Sequence, residues 1–164
     1  MPDQNAGPRW FFANLIEAKL TQGAGGGKLS VVELSGPSGD MPPLHLHRGD
    51  DEAFYVLEGE MSFFIGTDRP ARRAAGSLAF GPKGIPHTYR VESSGPARWL
   101  AVCTPGDFAE FVLAASRRAE SATLPPPPAP PSAQEVTAIT ALASEHGIEL
   151  LGPPGTLPGE GQDH

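Results

Sequence analysis

The sequence predicts an all-β domain, and three observations support this class. Gly (20) and Pro (19) are abundant among the 164 residues, while charged residues make up only 19%, a balance typical of short strands joined by turns. The centre of the chain holds short apolar runs separated by turn signals such as Gly36-Pro37 and Gly81-Pro82. Many short strands at close spacing indicate a sandwich or a barrel. The predicted strands are Lys28–Ser35, Ala53–Leu57, Met61–Gly66, Ser77–Phe80, His87–Glu92 and Arg98–Cys103.

The two ends of the chain differ from this central β region. Residues 1–27 are predicted to form an N-terminal covering segment, because the aromatic run Trp10-Phe11-Phe12 would close an open end or edge of a barrel. Residues 23–27 are mostly glycine and predict a flexible loop. The β-barrel is assigned to residues 28–104. Residues 105–164 are assigned to C-terminal helices, a Pro-rich linker and a tail of the same domain.

A first helix is predicted directly after the β region. Asp107 followed by Glu110 resembles a capping box at its start. The basic pair Arg117-Arg118 would then lie at the C-terminal end of this helix, where the helix dipole favours cations. Proline occupies six of the seven positions 125–131, which predicts an extended polyproline II segment. Such a run could bind an SH3-type module, but a stiff spacer across the barrel surface is the preferred interpretation.

A second helix follows the Pro-rich run. Ser132 and Glu135 form another capping box, and Gly147 is expected to end the helix. The apolar segment Ile148–Leu151 is predicted to dock back on the domain. The tail Gly152–His164 is rich in Gly and Pro and is expected to be mobile.

Composition argues against several classes of function. The net charge of −7 and the lack of a basic stripe argue against a nucleic-acid partner, and the cluster Arg69, Arg72 and Arg73 is interpreted as a solvated strand edge. The segment Met1–Arg9 lacks the apolar core of a signal peptide, and no apolar run has the length of a membrane span. A soluble cytoplasmic protein is therefore expected. The single cysteine, Cys103, cannot form an intrachain disulfide and is predicted to be a small buried hydrophobe.

Three histidines and one glutamate form the candidate functional site. His45 and His47 are two residues apart, so on a strand both side chains leave the same face at about 6–7 Å along the chain. The polar turn 48–51 lets Glu52 begin the next, antiparallel strand, while His87 must come from a non-local strand. Imidazoles and a carboxylate are ligands for a divalent transition metal. The residues predict one such ion, with Fe, Mn, Co, Ni, Cu and Zn all chemically possible.

The spacing around these ligands carries a family resemblance. Residues 39–59 read G-x5-H-x-H-x4-E-x6-G, and residues 76–87 read G-x5-P-x-G-x2-H. These patterns resemble the first and second motifs of the cupin superfamily, and the resemblance covers roughly residues 30–103. It implies a jelly-roll barrel, also called a double-stranded β-helix, with the C-terminal helices packed outside. One position departs from the family pattern: Val91 stands where an Asn, not a metal ligand, usually closes the second motif.

Within the superfamily, residues 51–59 and 147–154 resemble small single-domain cupins similar to quercetin 2,3-dioxygenases. The resemblance implies that His45, His47, Glu52 and His87 are the metal ligands and that Glu52 is also the general base. In such enzymes the flavonol binds the metal, and dioxygen cleaves its heterocycle with loss of carbon monoxide. Strand alternation places two aromatic residues on the inward face with the ligands, and the following helix could cap the mouth. The predicted substrate pocket is Met41, Phe54, Tyr89, Phe108 and Phe111. Phe54 and Tyr89 could equally be barrel core, and for Phe108 and Phe111 core packing is the preferred interpretation.

Three functions are compatible with these residues. The first is a metal-dependent dioxygenase acting on a flavonol-like or other enolisable aromatic compound. The second is a non-redox isomerase, cyclase, dehydratase or decarboxylase that uses the ion as a Lewis acid and Glu52 as base. The third is a small-molecule-binding or sensor cupin, which the intact ligand set argues against. Small cupins frequently dimerise, so by analogy the N-terminal segment or the C-terminal helices could form a homodimer interface. His146 and His164 are interpreted as structural or surface residues.

Overall fold

A computed structural model describes residues 7–160 of the chain. Twelve strands and two helices are present in this range. The strands are β1 (Arg9–Phe11), β2 (Asn14–Leu20), β3 (Ser30–Gly36), β4 (Pro43–His47), β5 (Asp51–Glu58), β6 (Glu60–Ile65), β7 (Ala71–Ala74), β8 (Leu78–Gly81), β9 (His87–Val91), β10 (Ala97–Thr104), β11 (Arg117–Arg118) and β12 (Ile148–Pro154). The helices are α1 (Asp107–Ala115) and α2 (Ala133–Glu145).

The strands form two sheets that face each other across the core. The seven-stranded sheet has the order β11-β1-β2-β3-β10-β5-β8, and the five-stranded sheet has the order β12-β4-β9-β6-β7. All strand pairs are antiparallel. The predicted all-β jelly-roll class is confirmed. The basic cluster of the sequence lies on and next to β7, which is an edge strand of the smaller sheet.

Alternation of side chains along the strands builds the core. In β3 and β10 every second residue is buried, as expected for strands with one face on the core. The interior centres on Trp99, which is 0% exposed and packs edge-to-face on Tyr89 at 5.1 Å between ring centroids. Phe54 and Phe63 pack beside them at 5.0 Å. Two facing apolar surfaces of this kind are what holds a sandwich together.

The N-terminal residues extend the larger sheet. Strand β2 pairs with β3, and β1 pairs with β2, so both join the sheet that carries the barrel strands. Trp10 is buried, donates its Nε1–H to the Thr123 carbonyl at 2.8 Å, and lies under the Arg117 guanidinium at 4.6 Å. Its neighbour Phe12 is 52% exposed. The aromatic run therefore divides between the protein interior and solvent.

The predicted capping box of α1 is wrong. The N-cap is Gly106, whose φ of 109° favours glycine, and it provides no side-chain cap. Asp50 caps the helix from the turn before β5 by accepting from the amides of Gly106 and Phe108 at 3.3 Å each. A carboxylate from a distant turn thus satisfies the free amides of the first turn, while Asp107 lies inside the helix.

The basic pair predicted for the end of α1 has a different place. The helix ends at Ala115 without a basic residue in its last turn. Arg117 and Arg118 instead form β11, which pairs with Arg9 and Trp10 of β1. Strand pairing and the contact of Arg117 with the Trp10 ring outweigh a dipole interaction worth only about 0.3–1 kcal/mol.

The second helix and the strand after it follow the sequence prediction. Ser132 and Glu135 form the capping box, with Glu135 N donating to Ser132 Oγ at 3.2 Å and Ser132 N donating to Glu135 Oε2 at 2.7 Å. Gly147 ends the turn at φ 73°. Strand β12 then pairs with β4, so the predicted docking of this segment is confirmed and extends to Pro154. The Pro-rich run 125–131 is neither helix nor strand and is largely exposed.

Part of the predicted mobile tail belongs to this strand, because residues 152–154 are paired with β4. Residues 161–164 of that tail and residues 1–6 of the N-terminus lie outside the described part of the chain. Neither helix within residues 7–160 is long and apolar enough to cross a membrane.

Candidate metal centre

The four predicted ligands converge between the two sheets. His45 and His47 lie on β4 and His87 on β9 of the five-stranded sheet, whereas Glu52 lies on β5 of the seven-stranded sheet. His45 and His87 are direct cross-strand partners. One potential ligand atom from each residue lies within 4.8 Å of all the others. The cluster could therefore hold one metal ion with three nitrogen donors and one oxygen donor.

Backbone carbonyls orient two of the imidazoles. His45 Nδ1–H donates to the Pro43 carbonyl at 2.8 Å, and His87 Nδ1–H donates to the Ile85 carbonyl at 3.0 Å. In both cases the acceptor lies two residues earlier in the chain. This tautomer turns Nε2 of each ring toward the cluster, where His87 Nε2 lies 3.1 Å from Glu52 Oε2. Imidazoles held in this way by a backbone carbonyl are common among metal-ligating histidines.

The local charges favour a deprotonated carboxylate and a neutral His45. Burial alone would raise the pKa of Glu52, but His47 and then His87 outweigh it and hold that pKa below its usual range. Burial, with the charges of His87 and His47, lowers the pKa of His45 to about 3. His45 nevertheless keeps one partly exposed edge, whereas the other three ligands are buried. His45 is therefore the most accessible of the four predicted ligands.

His47 tests whether a metal fits this site. Its Nε2 atom is buried and has no hydrogen-bond partner among the described residues. It lies 3.0 Å from Glu52 Oε2, but the ring N–H does not point at that oxygen with the angle that a hydrogen bond requires. The burial of this nitrogen is offset chiefly by the charge of Glu52, and a buried polar atom without a hydrogen bond costs about 1–3 kcal/mol. A cation at the centre of the four ligands would satisfy it, so the residues fit a transition metal.

The outer side of His47 borders a surface cleft of about 350 Å³. The cleft is lined by Gln22, His47, Gly49, Asp50, Pro105, Asp107, His146 and Gly147. His146, which the sequence assigned a structural role, donates Nδ1–H to Asp107 Oδ1 at 3.0 Å and packs on Phe111. His47 Nδ1, unlike the same atom of the other two imidazoles, has no backbone carbonyl acceptor among the residues described. Water in the cleft can therefore serve this nitrogen.

Two predicted pocket aromatics lie beside the ligands but within the core. Phe54 is 3% exposed and packs on His87 at 5.9 Å and on Tyr89 at 6.0 Å between ring centroids. Tyr89 is 6% exposed and contacts Trp99. Burial, followed by the charges of Asp40 and Glu52, raises the pKa of Tyr89 well above its usual value. Their substrate-binding role stays a prediction, because both rings also fill the interior.

The remaining three predicted pocket residues differ in what they contact. Phe108 packs against His47 at 5.6 Å and is half-buried, so it contacts the ligand cluster from α1. Phe111 is buried and packs on Phe11 at 5.8 Å, which makes it part of the contact between α1 and the larger sheet. Met41 is half-buried in the segment before β4. Of these three, Phe108 alone has a described ring contact with a ligand.

Sequence reasoning missed the residues that support the ligands. Cys103 lies directly opposite Glu52 on β10, fully buried, and burial together with the charge of Glu52 raises the pKa of its thiol well above the usual value. The alternation Trp99, Ala101, Cys103 on a strand could have placed this thiol on the inward face. The docking of Ile148–Leu151 was predicted, but not its partner strand. The pairing of Leu150 with His45 had no local signal, because it joins segments far apart in the chain.

With the fold and the ligand geometry established, comparison with known proteins identifies the domain. Residues 32–103 match the family model described as Cupin domain. These residues are a cupin domain. Quercetin 2,3-dioxygenase of Bacillus subtilis (strain 168) is 34% identical over 88 residues, which are 53% of this chain and 26% of that protein. The chain thus spans about a quarter of the length of this curated relative.

Solved structures agree with the cupin fold. An oxalate decarboxylase from Lactobacillus farciminis aligns with a TM-score of 0.53 at 18% identity, covering 62% of this chain and 31% of that chain. The polyketide cyclase RemF from Streptomyces resistomycificus aligns with a TM-score of 0.50 at 21% identity, covering 63% and 70% of the two chains. At these identities the likeness shows the fold alone.

Proposed function

We propose that this cupin is a metal-dependent dioxygenase that cleaves a flavonol-like or other enolisable aromatic compound with dioxygen. The observation that carries the proposal is the convergence of His45, His47, Glu52 and His87 within 4.8 Å, in a chain of which 88 residues are 34% identical to a quercetin 2,3-dioxygenase. The unpartnered Nε2 of His47 supports occupancy of the site by a cation. The chain would bind the ion through these four residues.

Glu52 is proposed to act as the general base. It is 2% exposed and its pKa is held below the usual range by the two imidazoles that face it, so it is a carboxylate at neutral pH. The imidazoles of His47 and His87 approach Oε2 at 3.0 and 3.1 Å. Oε1 would accept the proton of the substrate hydroxyl. When bound, the metal would supply the electrophilic and redox chemistry.

The substrate is proposed to approach on the side of His45. This is the one ligand with a partly exposed edge, and its own orientation is secured by the Pro43 carbonyl. Phe54 and Tyr89 would exclude water from the part of the cluster around His87, because Phe54 packs on the His87 ring and both aromatic side chains are buried against other rings. Because water is excluded there, the interactions of the Glu52 carboxylate with nearby charges would be stronger.

A second candidate function is supported by the same aromatic packing. Phe54 lies 5.0 Å from Phe63 and 6.0 Å from Tyr89 between ring centroids, distances of direct contact. Rings packed this closely favour a substrate smaller than a flavonol. A non-redox isomerase, cyclase or decarboxylase would need the ion only as a Lewis acid, with Glu52 again as the base.

The deciding experiment is turnover with defined metals. The protein is stripped with chelator, reloaded separately with Fe, Mn, Co, Ni, Cu and Zn, and assayed with quercetin under air and under argon. The proposal predicts consumption of quercetin matched by oxygen uptake under air and none under argon. Turnover of a small enolisable acid or ketone under argon, or with Zn alone, would establish the second candidate. Absence of oxygen uptake with every metal would reject the dioxygenase.

A variant pair separates catalysis from binding. Glu52→Gln keeps the size of the ligand but removes the base, so turnover should fall by at least about 100-fold while substrate binding persists. Glu58→Gln, an exposed position on the same strand, is the matched control and should retain full activity. A sensor cupin would bind its ligand equally well in both variants and turn it over in neither.

A further inference from the structure

We propose that Arg48, by binding the C-terminal end of α2, positions the ligand His47 and so controls how tightly the site binds its metal. Arg48 is the first residue of the ligand turn, residues 48–51, which joins His47 at the end of β4 to β5, the strand that carries Glu52. The inference rests on the metal binding that the proposed function requires, and it does not depend on the reaction with dioxygen.

His47 needs a support that the other two imidazoles do not need. His45 and His87 each donate Nδ1–H to a carbonyl two residues earlier, at 2.8 and 3.0 Å, whereas His47 has no such acceptor among the residues described. The His47 ring is buried against the His87 ring at 5.4 Å and the Phe108 ring at 5.6 Å between centroids. Ring contacts are less directional than hydrogen bonds. The position of His47 therefore depends on how its backbone and these neighbours are held.

Two main-chain hydrogen bonds hold the backbone at His47. Its carbonyl accepts from the Gly84 amide at 2.7 Å, and the next amide, that of Arg48, donates to the Gly147 carbonyl at 2.7 Å. Gly147 directly follows the C-cap of α2, and the residue after it, Ile148, is the cross-strand partner of His47. The peptide group that follows the ligand is therefore tied to the end of α2.

The Arg48 side chain binds the same helix end. Its Nη2 atom donates to the Ser144 carbonyl at 2.8 Å, in the last turn of α2, where the helix dipole favours cations. A guanidinium makes a charge-assisted hydrogen bond at this carbonyl, and α2 has no basic residue of its own in its last turn. Arg48 is exposed, so its side chain does not fill the core. Its removal should therefore be felt mainly in the position of the ligand turn.

A further contact ties α2 to the helix that touches the ligand. His146, the C-cap of α2, donates Nδ1–H to Oδ1 of Asp107 at 3.0 Å, and Asp107 is the first residue of α1. The next residue, Phe108, carries the ring that packs on His47. The Phe108 amide donates to Asp50 of the ligand turn at 3.3 Å. The ligand turn, α1 and α2 thus form a closed ring of contacts that includes His47.

Both helices lie outside residues 32–103, the part of the chain that matches the Cupin domain model. The buried side chain of α2 is Ala143, near its C-terminal end, and most of the helix before it is exposed. The helix therefore contributes little to the core along most of its length. Its C-terminal end is the part that is held in place, and that end is where the ligand turn binds.

The test measures metal affinity and ligand geometry in the full chain, with Co²⁺ as the probe. Arg48→Met removes the guanidinium but keeps a long side chain, and it should weaken Co²⁺ binding about tenfold and change the visible spectrum of the bound ion. Arg48→Lys keeps a cation near the Ser144 carbonyl and should recover most of the affinity. Arg73→Met is the matched control, because Arg73 also donates to a backbone carbonyl, that of Leu78 at 3.1 Å, but lies on β7, which carries no ligand. It should bind Co²⁺ like the unaltered protein.

NMR spectra of isotope-labelled histidine rings locate the effect in the metal-free protein. In Arg48→Met the ring signals of His47 should shift, while those of His45, which its own carbonyl bond orients, should stay in place. A second variant, His146→Leu, removes the hydrogen bond to Asp107 and should weaken Co²⁺ binding in the same direction. It provides the same comparison should Arg48→Met fail to fold.

Three results would overturn the proposal. They are unchanged Co²⁺ affinity in both Arg48→Met and His146→Leu, an equal loss in Arg73→Met, or a loss of stability in urea without any change in affinity or spectrum. The outcome is separate from that of the dioxygenase proposal. The expected differences in Co²⁺ binding, found in a protein that does not consume quercetin with any metal, would support the role of Arg48 and reject the dioxygenase.

Discussion

The two sheets of this protein share the core but differ in the character of their outer surfaces. On the five-stranded sheet, the row Arg90, Ser62 and Arg72 faces outward, with Arg72 paired to Glu60 and Arg90 over the Phe64 ring at 5.5 Å. The corresponding outward rows of the seven-stranded sheet run over β10, β5 and β8 and are apolar or aromatic: Val102, Ala53 and Phe80 in one row, and Leu100, Tyr55 and Leu78 in the other. The outer face of the smaller sheet therefore carries charged side chains, and that of the larger sheet carries apolar ones. Side chains alternate between the core and the outside in both sheets, so alternation alone does not explain this difference.

The inner faces are also unequal. The five-stranded sheet supplies three imidazoles, and the seven-stranded sheet supplies Glu52 and, behind it, Cys103. The cluster therefore depends on the distance between the sheets, which the aromatic core sets. This division predicts which substitutions disturb the metal site and which disturb only one surface.

The largest effect is expected from removing one ligand on either side. His87→Ala on the smaller sheet and Glu52→Ala on the larger sheet should each weaken metal binding by more than about 100-fold, beyond the 10–100-fold typical of residues behind the ligands. Isothermal titration with Co²⁺ or Zn²⁺ measures this. At 100-fold excess over the dissociation constant, metal should stabilise the unaltered protein by about 2.7 kcal/mol, and neither variant should show that gain. Full metal affinity in either variant would contradict a four-ligand site.

The next effect compares the two faces of the larger sheet. Trp99→Ala removes a fully buried ring and should lower the free energy of unfolding by about 3–5 kcal/mol. Leu78→Ala on the outer face, 53% exposed, should change it by no more than about 0.5 kcal/mol in the monomer. Urea unfolding at low protein concentration measures both. Equal losses would mean that the outer face is covered within the chain itself.

A pH effect distinguishes the metal-free site from the loaded one. Burial would lower the pKa of His47, but Glu52 and then Asp50 outweigh it and raise that pKa above 6.5. Without metal, the charged pair stabilises the fold below pH 6.5, and this contribution is lost as pH rises through the raised pKa. Metal must displace the same proton, so its affinity should rise over that range. Titration in two buffers of different ionisation enthalpy should detect proton release at pH 7. Heats independent of the buffer would contradict it.

The smallest effect concerns the residue behind Glu52. Cys103→Ala removes the thiol opposite the ligand and should weaken metal binding by about tenfold. Cys103→Ser keeps a donor of similar size and should restore most of the affinity. The electronic spectrum of the Co²⁺ protein reports the ligand geometry directly. If Ala and Ser variants bind metal equally well, the thiol fills space and does not orient Glu52.

Sequence alone predicted the four residues of the candidate site, which the structure brings together, because its signals are local. His45 and His47 share a face through strand parity, and the glycine and proline spacing around Glu52 and His87 carries the cupin motif. The capping box at Ser132 was likewise readable, since Ncap and N3 are neighbours in the chain. Each of these patterns depends on residues a few positions apart, where backbone geometry fixes the outcome.

Tertiary structure decided what depends on pairing between distant segments. Asp50 displaces Asp107 as the cap of α1, and Arg117 forms a strand with β1 in place of a helix end. Such pairing depends on the packing of the whole barrel. The free backbone N–H and C=O groups of an edge strand can pair with whichever segment lies beside it in the folded chain. The all-β class and the set of candidate ligands could thus be predicted from the sequence. The support of the ligands and the contrast between the two outer faces were determined by how the sheets close.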